Sequence, residues 1–318
     1  MFLNFIKRPA FKLMTMNRIL FLLSVSFIFF SCSTPMAVSQ QPVVTSIFKT
    51  DTIPKLVSRQ FLFTEGPAAD KEGNVFFTDQ PNNTIWKYDT DGTLQLFMDS
   101  AGRANGLYFD NEGYLIACAD EHNQLWRIDK KGNVTVLLEN YKGKKLNGPN
   151  DVWVHPSGVI YFTDPYYQRP YWSRQQGELE AQNVYMVPKG KREVQPVIEN
   201  LKQPNGIIGT PDGRWLYVAD IGAWKTYKYS IDKNGNVGKG ELFCEMGSDG
   251  MTLDKEGNLY LTGNGVTIFN SKGAQIGHIP IPEKWTSNVT FGGSDRRQLF
   301  ITASEAVYVL DMNVQGAH

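Results

Sequence analysis

The chain has 318 residues with 32 basic and 32 acidic side chains, a formal net charge of zero. Residues 1–31 hold four of the basic groups and no acidic one, so the remainder carries 28 basic against 32 acidic side chains, a net −4. That balance lacks the positive footprint of a nucleic-acid-binding protein, and the roughly 285 residues after the leader fall within the range of one closed all-β fold.

The leader comes first. Lys7, Arg8, Lys12 and Arg18 make a basic start, and an uncharged, mostly apolar run of 12 residues follows from Ile19 to Phe30. Such a run is too short to span a bilayer and fits the apolar core of a signal peptide. Ser31-Cys32-Ser33 then places a small residue directly before a cysteine. This reads as a lipobox: residues 1–31 are expected to be a lipoprotein signal peptide and Cys32 the lipidated N-terminus of the mature chain. Residues 32–50, polar and proline-containing, read as a tether, and residues 51–318 as the folded unit. The expected location is the cell envelope, lipid-anchored on the periplasmic or outer surface. The alternatives are an ordinary signal peptide with an incidental cysteine, or a start at Met16.

The run from Ile53 to Phe63 precedes the first repeat and is expected to supply an outer strand that closes a ring with the C-terminal repeat. Six segments then share one plan, a polar residue beside a small one, a short strand, a tight turn and an apolar strand. They open at Glu65, Asn105, Asn150, Asn205, Asp249 and Asn288, at intervals of 40, 45, 55, 44 and 39. The turns recur in phase, from Asp70-Lys71-Glu72-Gly73 through Asp254-Lys255-Glu256-Gly257, with the Gly, Asp and Asn chemistry of short hairpin loops. Second strands such as Val75-Phe76-Phe77-Thr78 and Leu259-Tyr260-Leu261-Thr262 are apolar on both faces, as doubly buried strands are. Third strands such as Ile85-Trp86-Lys87-Tyr88 alternate, and fourth strands such as Leu94-Gln95-Leu96-Phe97 close each unit. The pattern predicts an all-β, six-bladed β-propeller with four antiparallel strands per blade. Cys118 and Cys244 both sit in strand-like runs, where a disulfide and two buried thiols are equally compatible with the sequence.

In a propeller the first strand of each blade lines the central channel, so the six opening residues converge on one mouth. The ends of the second strands return to that face, which brings Asp79, Asp120, Asp164, Asp220 and Asn264 nearby; these strand-end residues read first as backbone caps. The inner ring of two carboxylates and four carboxamides offers oxygen donors only. That set suits Ca²⁺, with Mg²⁺, Mn²⁺ or Zn²⁺ as alternatives. None of the four histidines occupies a ring position, which disfavours a zinc site of His or Cys type.

These motifs resemble the SMP-30/gluconolactonase family of calcium-dependent six-bladed propellers, which also includes the squid-type diisopropylfluorophosphatase. The resemblance rests on Glu65-Gly66-Pro67, Gly148-Pro149-Asn150-Asp151, Gln203-Pro204-Asn205-Gly206, Ser248-Asp249-Gly250-Met251 and Thr286-Ser287-Asn288-Val289-Thr290-Phe291. It implies Glu65, Asn205 and Asp249 as metal ligands, Asn150 as a residue that binds metal or substrate, and Asp249 as general base or nucleophile. Asn105, from its place in the ring, is the other candidate substrate-binding residue, although Asn105 and Asn288 read first as structural. An arginine two residues before the blade-three asparagine, present in the animal gluconolactonase branch, is Gly148 here. The fluorophosphatase branch has a histidine in the place of Thr290. The loop from Pro165 to Asn183, rich in Tyr, Arg and Gln, is expected to cover the mouth, with Tyr166 and Arg169 meeting the substrate.

The expected activity is metal-dependent opening of a lactone, with a small-molecule substrate and a monomeric enzyme, since a closed propeller has no sheet edge that demands a partner. The alternatives are a cell-surface ligand-binding propeller with a structural ion, or another ester or phosphate-ester hydrolase on the same site. The sequence has no Gly-x-Ser-x-Gly elbow and no phosphate-binding glycine loop, against serine-hydrolase and nucleotide chemistry.

Overall fold

The hairpin turns show how this sequence folds locally. Asp70 Oδ1 accepts from the backbone N–H groups of Glu72 (3.0 Å) and Asn74 (2.9 Å), and Gly73 takes φ +97°, which a side chain would resist. The same Asx geometry recurs at Asp110, with Glu112 and Tyr114 as donors, and at Asp254, with Glu256 and Asn258. Each turn reverses the chain within four residues, and an antiparallel meander follows.

The structure is a computed structural model that describes residues 47–48 and 52–318. The leader, Cys32 and most of the segment read as a tether lie outside the described residues. Among the described residues, twenty-four strands form six antiparallel sheets of four. Blade one comprises Thr64–Ala69, Val75–Asp79, Thr84–Tyr88 and Leu94–Met98, and blade two Ala104–Phe109, Leu115–Ala119, Gln124–Ile128 and Val134–Leu138. Blade three comprises Val152–Val154, Ile160–Thr163, Val184–Val187 and Gln195–Ile198; blade four Pro204–Gly209, Trp215–Asp220, Lys225–Ser230 and Glu241–Cys244. Blade five comprises Met251–Leu253, Leu259–Gly263, Gly265–Phe269 and Gln275–Ile279. Blade six takes Asn288–Gly292, Gln298–Ala303 and Ala306–Asp311, and its outer strand is Lys55–Ser58 from the beginning of the described chain. The ring therefore closes as the run before Glu65 predicts. The protein is a six-bladed β-propeller.

The core lies between blades. Phe77 of blade one packs on Phe300 of blade six with ring centroids 5.3 Å apart, and Phe76 meets Phe109 of blade two edge-on at 5.2 Å. The second strands of blades one, two, three and five are buried throughout, and those of blades four and six beyond their first residue; each large apolar side chain in them contributes about 1.5–3 kcal/mol. Cys118 and Cys244 are buried free thiols in different apolar clusters. Ile47 and Phe48, within the stretch read as tether, are buried beside Tyr260, Met312 and Val314.

Inner-strand irregularity positions the mouth residues. In blades one, two and four the inner strand is bulged: Glu65 pairs with Thr78 but Ala68 with Phe76, Ala104 with Ala119 but Leu107 with Ala117, and Pro204 with Asp220 but Ile207 with Val218. Two residues thus oppose one, which kinks the strand and re-aims its side chains. Gly66, Gly106 and Gly206 sit in these bulges, where the next blade's backbone comes too close for a Cβ.

Candidate active site at the mouth of the propeller

All six ring residues arrive at the same end of the channel, and all are buried: Glu65, Asn105, Asn150, Asn205, Asp249 and Asn288 are 3–9% exposed. Backbone links lock neighbouring blades together there. Gly106 N–H donates to Asn150 O at 2.7 Å and Gly250 N–H to Ser287 O at 2.7 Å. Threonines at or next to the ends of second strands reach across to the next blade: Thr78 Oγ1 donates to Asn105 O (3.1 Å) and Thr163 Oγ1 to Asn205 O (2.7 Å).

The ring's electrostatics centre on Glu65 and Asp249. Burial drives the Glu65 carboxyl well above its ordinary range, and the nearby Asp249 charge adds to this, while Gly66 N–H donates to Glu65 Oε2 at 3.0 Å in partial compensation. Asp249 is also raised by burial and held down by Trp285, Asn205 and the charge of Arg169. Trp285 Nε1 donates to Asp249 Oδ2 at 2.6 Å. Asp151, next to Asn150, lines the central channel, a cavity of about 380 Å³ whose other walls include Tyr108, Trp153 and Phe291. Burial pushes the Asp151 carboxyl up to about 8, although Val152 N–H donates to it at 3.1 Å.

Two buried like-charged carboxylates are costly unless a cation lies between them. Among the described residues no three or more His, Cys, Asp or Glu side chains cluster as a metal-binding group; a cation here would rest on a mixed set of carboxylates and carboxamides. That set, oxygen throughout, fits a hard divalent ion. The histidines are engaged elsewhere: His122 stacks on Trp126, His155 meets Gly213 O, His278 meets Thr267, and His318 meets Gly209 O.

The blade-three loop, 165–183, has no regular strand and lies across the mouth. Its Tyr167 hydroxyl accepts from Asn205 Nδ2 at 2.9 Å. Burial, then the charge of Asp249, raises the Tyr167 pKa, so the phenol stays protonated. Tyr166 points its hydroxyl at Gln168 instead and packs near Trp172, so the tyrosine that reaches the ring is its neighbour. Arg169 Nε donates to Asp120 Oδ2 at 2.9 Å and lies over the Tyr167 ring. Of the strand-end residues, Asn264 is the exposed tip of a tight hairpin.

The geometry and the family assignment agree. The SMP-30/gluconolactonase/LRE-like region matches residues 63–305. The chain belongs to that family. Within it, a gluconolactonase of Zymomonas mobilis is 29% identical over 298 residues, covering 84% of this chain and 83% of its own length. A solved structure described as a putative gluconolactonase superposes with a TM-score of 0.81 at 28% identity, over 88% of this chain and 98% of that one. A gluconolactonase structure from Xanthomonas campestris gives 0.76 at 29% identity, over 81% and 88%.

Three family-site neighbours were not legible from the repeat. Trp285 lies in the connection before blade six, outside the repeated plan. Tyr167 and Asp151 adjoin residues that the motifs do single out, but nothing in the local sequence says which of two neighbours turns inward.

Proposed function

We propose that this protein hydrolyses a lactone at the mouth of the propeller, with a divalent cation, Ca²⁺ by donor chemistry, held by Glu65, Asn205 and Asp249 with Asn150. The observation that carries the reading is the buried Glu65–Asp249 acid pair inside an oxygen-only ring. The gluconolactonase relatives support a cyclic ester as substrate. When bound, the cation would supply Lewis acidity toward the lactone carbonyl.

The chain's own residues do the rest. Trp285 holds Asp249 Oδ2, which stops the carboxylate rotating and orients it to take a proton from attacking water. Burial makes Asp249 a stronger base; Trp285, Asn205, the charge of Arg169 and a bound cation make it a weaker one. A reactive cyclic ester needs only modest base help. Asn105 and Asn150, fixed by the inter-blade backbone links, provide amide groups for substrate oxygens. Tyr167 over Asn205 and Arg169 over Tyr167 exclude water from the mouth.

The test is proton release from a panel of aldonic and simple lactones by residues 41–318, with Ca²⁺ and with chelator. Chelator-sensitive turnover that disappears in Asp249→Asn supports the assignment. Cation binding with no turnover on any lactone would instead make the protein a ligand-binding propeller or a hydrolase of a different ester. On the evidence of the leader we propose that the enzyme is lipid-anchored at the cell envelope through Cys32, and on that of the closed ring that it is a monomer. A Cys32→Ala chain recovered in the soluble fraction would support the anchor; one that stayed with membranes would not.

A further inference from the structure

The four strand-end aspartates are equivalent by repeat, and three of them do the same thing. Asp79 accepts from Leu62 N–H (3.2 Å) and Phe63 N–H (3.1 Å). Asp164 accepts from Asn147 N–H (2.9 Å) and Gly148 N–H (2.8 Å), and Asp220 from Lys202 N–H (2.8 Å) and Gln203 N–H (2.9 Å). Each caps the backbone that leads into its own blade's inner strand.

Asp120 departs from this pattern. Seventeen residues before it stands Arg103, and that amide is taken by Asn83 Oδ1. Among the described residues no backbone N–H donates to the Asp120 carboxylate. It receives Arg169 Nε at 2.9 Å, the Tyr171 hydroxyl and, more distantly, Gln80 Nε2 at 3.4 Å. Its carbonyl accepts from Trp172 Nε1 at 3.2 Å. A residue whose side chain is only 2% exposed thus binds three residues of the blade-three loop, two through its carboxylate and one through its carbonyl.

Gly148 completes the arrangement. A Cβ there would lie 2.8 Å from Asp120 Oδ1 and 2.9 Å from the Trp172 ring, so a larger residue would displace both. The loop is pinned at its far side too, where Arg174 Nη1 donates to Leu146 O at 3.1 Å and its guanidinium lies 4.2 Å from the Trp172 ring centroid. Among the described residues Asp120 is the one hydrogen-bonding partner recorded for the Arg169 guanidinium. Its terminal NH₂ groups are therefore free for a ligand.

We infer that Asp120 is a positioning residue: it latches the blade-three loop over the mouth and presents the terminal NH₂ groups of Arg169 to an oxygen of the bound substrate. This rests on the lactonase reading for its substrate but not for its latch. Release of a charge-assisted hydrogen bond to a buried group costs about tenfold or more in the quantity it controls. Asp120→Ala and Arg169→Met are each expected to raise KM for gluconolactone about tenfold while changing kcat much less, because the loss falls on binding. The double variant should be no worse than either single one, since both break one device. Asp79→Ala, which removes a backbone cap, should do the reverse, lowering Tm and leaving KM unchanged.

A second measurement needs no activity. Trypsin cannot cut after Arg169, which precedes Pro170, but can cut after Arg174. Nicking there, followed by mass spectrometry, should be about tenfold faster in Asp120→Ala than in the parent chain, because proteolysis follows local opening. If the nicking rate and KM of Asp120→Ala match those of the parent, or its only defect is the lowered Tm seen in Asp79→Ala, Asp120 is an ordinary cap and the inference fails. Faster nicking with no turnover of any lactone would keep the latch and reject the lactonase reading.

Discussion

Trp285 Nε1 meets Asp249 Oδ2 at 2.6 Å, joining the connection before blade six to the first residues of blade five. An indole N–H has no acceptor role and no charge, so it fixes the carboxylate without neutralising it. Trp285→Phe keeps the ring and removes the donor. Its kcat on a turned-over lactone is expected to fall by about tenfold, the worth of one hydrogen bond to a charged group, with Tm shifted by only a few degrees. An unchanged kcat would mean that Asp249 is oriented by something else.

Glu65 and Asp249 are buried together, and a cation that relieves them should stabilise the fold. Binding to the native state alone adds about 2.7 kcal/mol at a hundredfold excess over Kd. For a domain of this size that is about 5–10 °C in Tm. Calorimetry with and without Ca²⁺ measures it, and Glu65→Gln, which deletes one of the two charges, should weaken Ca²⁺ affinity by on the order of a hundredfold. A Tm indifferent to both Ca²⁺ and chelator would remove the cation from this ring.

Asp151 makes a pH prediction for the chelated protein. Its folded carboxyl is pushed up to about 8 from an ordinary 3.8. Between those values the folded state binds the proton that the unfolded state has released, so this contribution is full below the ordinary value. It is lost as pH rises through about 8. Asp151→Asn should therefore be more stable than the parent at pH 8 by on the order of a few kcal/mol, with the difference shrinking toward pH 4. Urea unfolding across that range tests it; a constant difference would assign the effect to packing.

Cys118 and Cys244 are free and buried, and burial raises both thiol pKa values, Cys244 to about 11. Neither should react with a thiol reagent in the native protein, and reductant should leave Tm unchanged. Both should label completely in denaturant. A single fast-reacting thiol in the native state would contradict their burial.

Much of this architecture is local and so is written in the repeat. An Asp followed three residues later by Gly builds its turn from its own side chain and its neighbours' amides, as at Asp70 and Asp254, so turns, blade number and the phase of the six ring residues follow from spacing alone. The convergence of Glu65, Asn205 and Asp249 follows in turn from the closed ring, because strands that begin in phase must begin at one mouth.

What the repeat could not reveal are the places where equivalent positions do unequal work. Asp79, Asp120, Asp164 and Asp220 look alike in sequence, yet only Asp120 is turned toward Arg169 and Tyr171, 49 and 51 residues away. Gly148 shows its reason only where Trp172 and Asp120 fill the space beside it. Trp285 and Tyr167 reach the ring from irregular connections whose paths obey no period. Sequence by itself determined the repeating scaffold, since its hydrogen bonds close within a few residues or between neighbouring strands. The tertiary structure decided the chemistry around it, because those contacts join residues tens of positions apart and exist only once the ring has closed.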